Sequence, residues 1–130
     1  MKIILVDAVD CFIIESDNKF KIFKEMHDLL NNFPNRKILL TGANDEQFKE
    51  FGLDKMPYEV FTLKHNPEKT NPKYYEKMLN HFGLKKDQII YFEHNLGAVK
   101  SAESVGIKTC YYDSGKKDLI ALKKFIARNL

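Results

Sequence analysis

The stretch Ile3-Ile4-Leu5-Val6-Asp7-Ala8-Val9-Asp10-Cys11-Phe12 sets four aliphatic residues directly ahead of an aspartate near the start of the chain. A short continuous apolar run bounded by polar residues is the pattern of a strand covered on both faces, as in a parallel sheet. In open sheets of that kind, ligands gather outside the carboxyl ends of the strands. Asp7 is therefore expected at the surface where such proteins do their chemistry. Taken alone, Asp7 and Asp10 are explained as well by the turn after the strand, which acidic side chains shape and solvate. The neighbouring segments decide between the two.

Downstream, Ser16-Asp17 offers an N-cap, and Ile22, Phe23, Met26, Leu29, Leu30 and Phe33 follow at helical spacing up to Pro34, which predicts a core-facing helix. Lys37-Ile38-Leu39-Leu40 is a second aliphatic run, and it ends in Thr41-Gly42-Ala43-Asn44, so Thr41 stands where Asp7 stands in the first. Asn44-Asp45-Glu46 opens a short helix stopped at Gly52. Tyr58 to Leu63 reads as a third strand. Asn71-Pro72 is a helix start, with Asn as cap and Pro at the first helical position, and that helix ends at Gly83. Gln88 to Phe92 makes a fourth strand ending in Glu93-His94-Asn95, followed by a helix from Leu96 to Val105. Ile107 to Tyr112 is the fifth strand, and Leu119, Leu122, Phe125, Ile126 and Leu130 mark a final helix. Strands alternating with helices imply right-handed crossovers and a parallel sheet covered on both faces.

At 130 residues and 44% hydrophobic content the chain suits one domain with a single core. Its 21 basic and 18 acidic residues leave a net charge of +3, and pairs such as Lys85-Lys86, Lys116-Lys117 and Lys123-Lys124 suit solvated helix ends rather than a track for nucleic acid. No apolar run approaches the roughly 18 to 20 residues that span a bilayer. The first run ends at Asp7, so there is no signal-peptide pattern, and a cytoplasmic location is expected. Cys11 and Cys110 suit free thiols in a reduced compartment, with Cys11 read as a small buried side chain.

Asp7, Thr41 and Glu93 thus end three strands, and the loop Glu68-Lys69-Thr70-Asn71-Pro72 brings a lysine ahead of a helix. A carboxylate nucleophile, a hydroxyl, a cation and a second acid able to hold a divalent metal are the parts that phosphoryl transfer through an aspartyl-phosphate requires.

In the order of these segments the sequence resembles the haloacid dehalogenase (HAD) superfamily, whose members are mostly magnesium-dependent phosphatases on a Rossmann-like sheet. The resemblance spans nearly the whole chain. It is clearest from Lys69-Thr70-Asn71-Pro72-Lys73-Tyr74-Tyr75 through Phe82-Gly83-Leu84 and Ile89-Ile90-Tyr91-Phe92-Glu93-His94-Asn95 to Ser101-Ala102-Glu103-Ser104-Val105-Gly106-Ile107-Lys108-Thr109. It implies a three-layer α/β fold with a five-stranded parallel sheet of order 5-4-1-2-3 and helices on both faces, residues 1–130 forming one HAD-like domain. It further implies Asp7 as nucleophile, Thr41 with Gly42 and Lys69 as the phosphate-binding group, and Mg²⁺ held by Asp7, Glu93 and the backbone carbonyl of Val9. Lys64 is a weaker candidate for the cation.

The departures from the family bear on turnover. Val9 stands where the family's phosphatases usually carry the aspartate that protonates the leaving group, and Asp10 lies one residue further on. Glu93 replaces the usual aspartate, and His94 and Gly97 stand where further acids are common. Loss of a general acid-base group removes about 10²- to 10⁴-fold of rate. The expectation is a HAD-like phosphatase acting through Asp7 with weak or lost turnover, with Asp10 or His94 as candidate acid-base substitutes. A non-catalytic domain that binds phosphate, a ligand or a protein partner is the alternative. A receiver-type phosphoacceptor domain fits poorly, because its acceptor aspartate ends the third strand and here that strand ends in Thr62-Leu63-Lys64. Only 33 residues lie between Asp7 and Thr41, so no cap domain is expected. An open site favours a large phosphorylated substrate or a protein partner.

Overall fold

The computed structural model describes residues 1–130. Strand β1 (Ile3–Asp7) is buried from Ile4 onward and pairs in parallel with two neighbours, β4 (Lys37–Thr41) on one side and β6 (Ile89–Glu93) on the other. Outside these lie β5 (Glu59–Thr62) and β7 (Lys108–Tyr111), also parallel. The sheet order is β5-β4-β1-β6-β7.

Because side chains alternate across a strand, the aliphatic run of β1 feeds two cores. Ile4 and Val6 join Leu39, Ile90 and Phe92 on one face, against α1 (Lys24–Leu30) and α5 (Leu119–Asn129) through Met26, Leu30, Leu122 and Ile126. Leu5 joins Ile38, Leu40 and Tyr91 on the other, against α3 (Pro72–Phe82) and α4 (Leu96–Ser104) through Tyr74, Tyr75, Met78 and Ala102. A fully buried side chain of this kind contributes about 1.5 to 3 kcal/mol, so a run apolar on both faces is held far more firmly than an alternating one.

The expected strand count is corrected, and with it the numbering in which the order is written. Residues 13–22 form an antiparallel hairpin, β2 (Ile13–Ser16) and β3 (Lys19–Ile22), rather than the start of the first helix. There are seven strands instead of five, and the hairpin takes the second and third numbers, so the order written 5-4-1-2-3 gives way to β5-β4-β1-β6-β7. Ser16-Asp17 does not cap a helix. Asp17 and Asn18 both have positive φ, 53° and 62°, the pair of left-handed residues that a two-residue hairpin turn requires and that Asp and Asn tolerate best. Helix α1 begins only at Lys24, after Phe23 and without a side-chain cap.

The other local signals act as read. Asn44 and Gln47 form a capping box on α2 (Asp45–Glu50), and Asn71 caps α3 with Pro72 in its first turn. Gly83 closes α3 at φ 63°, a conformation that carries no Cβ penalty in glycine. Asn95 caps α4 through Ala98 N, which fixes the turn immediately after Glu93.

Candidate active site

Three parallel strands end side by side, and each delivers a polar residue to the same edge. Asp7 at the end of β1 and Glu93 at the end of β6 are almost fully buried, as is Thr41 at the end of β4. A buried carboxylate is stable only when paired and hydrogen-bonded. The partner arrives from the loop ahead of α3: Lys69 Nζ lies 2.6 Å from Asp7 Oδ1 and 2.6 Å from Glu93 Oε1. Its third contact is the Leu40 carbonyl at 3.4 Å.

The two carboxylates are otherwise served differently. Glu93 Oε1 also accepts from the Tyr91 hydroxyl at 2.5 Å, and Oε2 from Asn95 N at 2.9 Å. Asp7 Oδ2 accepts from Cys11 Sγ at 3.2 Å, from the His94 backbone N at 3.1 Å and from the His94 ring through Nδ1. The same Nδ1 is 3.2 Å from Glu93 Oε2, and the other ring nitrogen is 3.7 Å from Asp10 Oδ2.

The electrostatics follow from this arrangement. Burial alone would lower the Lys69 ammonium, but Asp7 and Glu93 outweigh it and hold its pKa well above the usual lysine range. Burial would raise Glu93, yet the Lys69 charge and hydrogen bonding with His94 hold it far below the carboxylate range. In Asp7 burial prevails over Lys69 and shifts the carboxyl upward. Hydrogen bonds to Asp7 and then to Glu93 push His94 up to about 10. Burial, with the Asp7 charge next to it, pushes the Cys11 thiol well up.

Asp7, Val9, Asp10, Thr41, Gly42 and Lys69 line one cavity of about 230 Å³ together with Glu93 and His94. The Thr41 hydroxyl accepts from Ala43 N at 3.2 Å, while the Thr41 carbonyl accepts from the Tyr74 hydroxyl at 2.7 Å, which pins the strand end. Lys64 is not at the site; it is exposed and pairs with Asp45 at 3.2 Å. Asp10 has φ 68° and a side chain that is 57% exposed, at the cavity and near His94.

Sequence reasoning missed two participants. Cys11 is buried as expected but also gives its thiol hydrogen to Asp7. Tyr91 supports Glu93 from two residues earlier on the same strand face, a spacing that was open to reading. The Cys11 contact depends on how the loop after β1 folds back and has no signal in the sequence.

These contacts bear on the expected magnesium site. Mg²⁺ requires a near-octahedral shell of oxygen atoms. Here Asp7 Oδ2 and Glu93 Oε2 both lie against one imidazole nitrogen, and a thiol and a backbone N–H also donate to Asp7 Oδ2. Residues 93 and 94, which would complete an acidic pair, are an acid and a base. The donor set as arranged does not fit magnesium.

No family model matches this sequence, and no curated protein does. Solved structures match by fold. A HAD family enzyme from Bacteroides thetaiotaomicron, crystallised as an aspartate-to-alanine variant with magnesium and inorganic phosphate, aligns over 88% of this chain and 95% of its own with TM-score 0.70 and 13% identity. The UTR4 protein (Unknown transcript 4 protein) of Saccharomyces cerevisiae aligns over 69% of this chain and 46% of its own with TM-score 0.53 and 15% identity. The chain has the HAD-like α/β fold, a parallel five-stranded sheet between helices. No helix is long and apolar enough to cross a membrane.

Proposed function

We propose that the chain is a HAD-type phosphohydrolase that works slowly, through an aspartyl-phosphate on Asp7. The observation that carries this reading is the Lys69 ammonium set between Asp7 Oδ1 and Glu93 Oε1 at 2.6 Å each, on the wall of a cavity at the carboxyl ends of the strands. A buried acid beside a fixed cation and a hydroxyl suits an incoming phosphoryl group, whose charge needs prearranged donors. The bacterial neighbour's complex with phosphate supports the same class of ligand.

Oδ1 is the reacting oxygen, since it accepts only from Lys69 whereas Oδ2 accepts three times. Oδ1 attacks phosphorus, the bond from phosphorus to the leaving oxygen breaks, and the displaced group departs as its anion. Lys69 offsets the charge that develops on the phosphoryl oxygens. Water then attacks the aspartyl-phosphate, returning the carboxylate, inorganic phosphate and a proton. Magnesium use, the family's habit, has the neighbour's crystal in its favour and this chain's donor set against it, and no step here depends on it. The open cavity suits a large phosphorylated substrate or one carried on a protein.

Val9 offers no proton to the leaving group, so rate depends on how well that group leaves unaided. Aryl and acyl phosphates are expected to react, and alkyl phosphates hardly at all. The test is a screen of both substrate classes with wild type, Asp7→Asn and Val9→Asp. Val9→Asp is expected to raise alkyl phosphate turnover by about 10²- to 10⁴-fold, and Asp7→Asn to abolish all turnover. Activity that survives Asp7→Asn removes the nucleophile from this reading.

One observation favours a second reading, a non-catalytic phosphate-binding domain: every oxygen of the two carboxylates already has a protein donor. Phosphate binding without turnover of any substrate by wild type and Val9→Asp alike selects it.

A further inference from the structure

We infer that His94 stands where a divalent cation would stand, and that the site binds a phosphoryl group between Lys69 and His94 with no metal ion. The inference rests on the reading of the cavity as a phosphoryl site and deepens it. It comes from the position of one ring. His94 Nδ1 hydrogen-bonds Asp7 Oδ2 and is 3.2 Å from Glu93 Oε2, so the imidazole lies between the two carboxylates that would have to converge on an ion. Its Nε2 faces a third carboxylate, Asp10, at 3.7 Å. Nδ1 faces carboxylate oxygens and so donates to them, and the charged group opposite Nε2 is again an acceptor.

Two consequences follow for cations. The oxygens a metal would take are committed to N–H and S–H donors, including the His94 backbone N, which cannot swing aside with the ring. The two buried carboxylates also share the Lys69 ammonium, which offsets part of the charge that would draw in a divalent ion.

The position for an anion is the opposite. Nε2 makes no hydrogen bond to Asp10, because 3.7 Å is an ion-pair distance and longer than a hydrogen bond. Lys69 has three protons, and its third contact, the Leu40 carbonyl at 3.4 Å, is weak. The Thr41 hydroxyl accepts from Ala43 N and keeps its own proton to give. All three groups line the same cavity, and together they offer one donor each to a phosphoryl oxygen.

The experiment measures inorganic phosphate binding calorimetrically, with thermal unfolding alongside, in excess chelator and again with Mg²⁺ or Zn²⁺, on wild type and His94→Asp. Wild type is expected to bind phosphate with the same affinity in chelator and in Mg²⁺, and to give no heat on titration with either metal alone. His94→Asp is expected to lose phosphate binding in chelator by about tenfold or more, the usual consequence of losing one charge-assisted contact, and to recover it with Mg²⁺. Phosphate binding by wild type only when metal is present overturns the inference and leaves the phosphoryl reading intact. Stoichiometric Zn²⁺ binding, which Asp7, Cys11 and His94 could provide with ligand atoms within 4.8 Å of one another, also overturns it. No phosphate binding under any condition overturns both. The wild-type arms decide the question even if His94→Asp fails to fold.

Discussion

The ends of β1 and β6 are neighbours, and each buries a carboxylate against the same lysine, yet they are built differently. Glu93 is held by groups that belong to its own surroundings in the sequence: the Tyr91 hydroxyl two residues back, the Asn95 amide two residues on, and the helix cap that follows. Asp7 is held on Oδ2 by a thiol and by a histidine that is 27% exposed, and on Oδ1 by Lys69 alone. One end is held mostly by donors from its own strand and loop, the other largely by donors from distant segments. Two acids of equal burial can therefore differ in chemistry, and what separates them is how far their hydrogen bonds are local and rigid.

The harshest way to break the comparison is to remove what the two ends share. Lys69→Met leaves two buried carboxylates uncompensated, and denaturant unfolding is expected to show a loss of about 3 to 5 kcal/mol. A much smaller loss would mean that His94 alone can serve both acids.

The next test is pH. His94 is raised in the folded protein from 6.5 to about 10, so its contribution to stability is fully present below about 6.5 and is lost as pH rises through about 10. Asp7, Glu93 and Asp10 face the ring, with Lys69 and Cys11 on the other side of Asp7. Wild type is expected to lose stability steadily across that window, and His94→Gln to show a flatter profile. Equal slopes would place the proton elsewhere in the cluster.

Two milder substitutions separate the ends. Tyr91→Phe removes one donor from Glu93 only, and an unfolding free energy lower by about 1.5 kcal/mol is expected, the value of a hydrogen bond to a charged group. Cys11→Ala removes a weak donor and one sulfur atom from beside Asp7, and a loss of about 1 kcal/mol is expected. If Cys11→Ala costs more than Tyr91→Phe, the Asp7 end is the more rigid of the two.

Much of the site could be read from the chain because its parts lie at element boundaries, where local rules are strongest. Asp7, Thr41 and Glu93 follow aliphatic runs, and Lys69 precedes the Asn71-Pro72 helix start. The hairpin is hidden in the sequence because Ile22, Phe23 and Met26 extend the stripe of α1 backwards at helical spacing, while Lys19-Phe20-Lys21-Ile22 also alternates as a strand does. The turn residues Asp17-Asn18 serve a hairpin as well as a cap, and only pairing with β2 resolves the choice. The pairing of His94 with Asp7 joins residues 87 apart, and no local pattern contains it.

Lys69 has a further consequence for how the molecule comes together. Its contacts with Asp7, Leu40 and Glu93 close loops of 62, 29 and 24 residues, far longer than any helix cap or turn in the chain. Asp7 and Glu93 come together only when β1 and β6 pair, a separation of 86 residues from Ile3 to Ile89, so the lysine finds both of its acids only once those strands have docked. Its loss would then hasten unfolding more than it slows folding. The cavity exists only in a molecule whose sheet is already complete, and a chain caught partway through assembly has no site to offer a ligand.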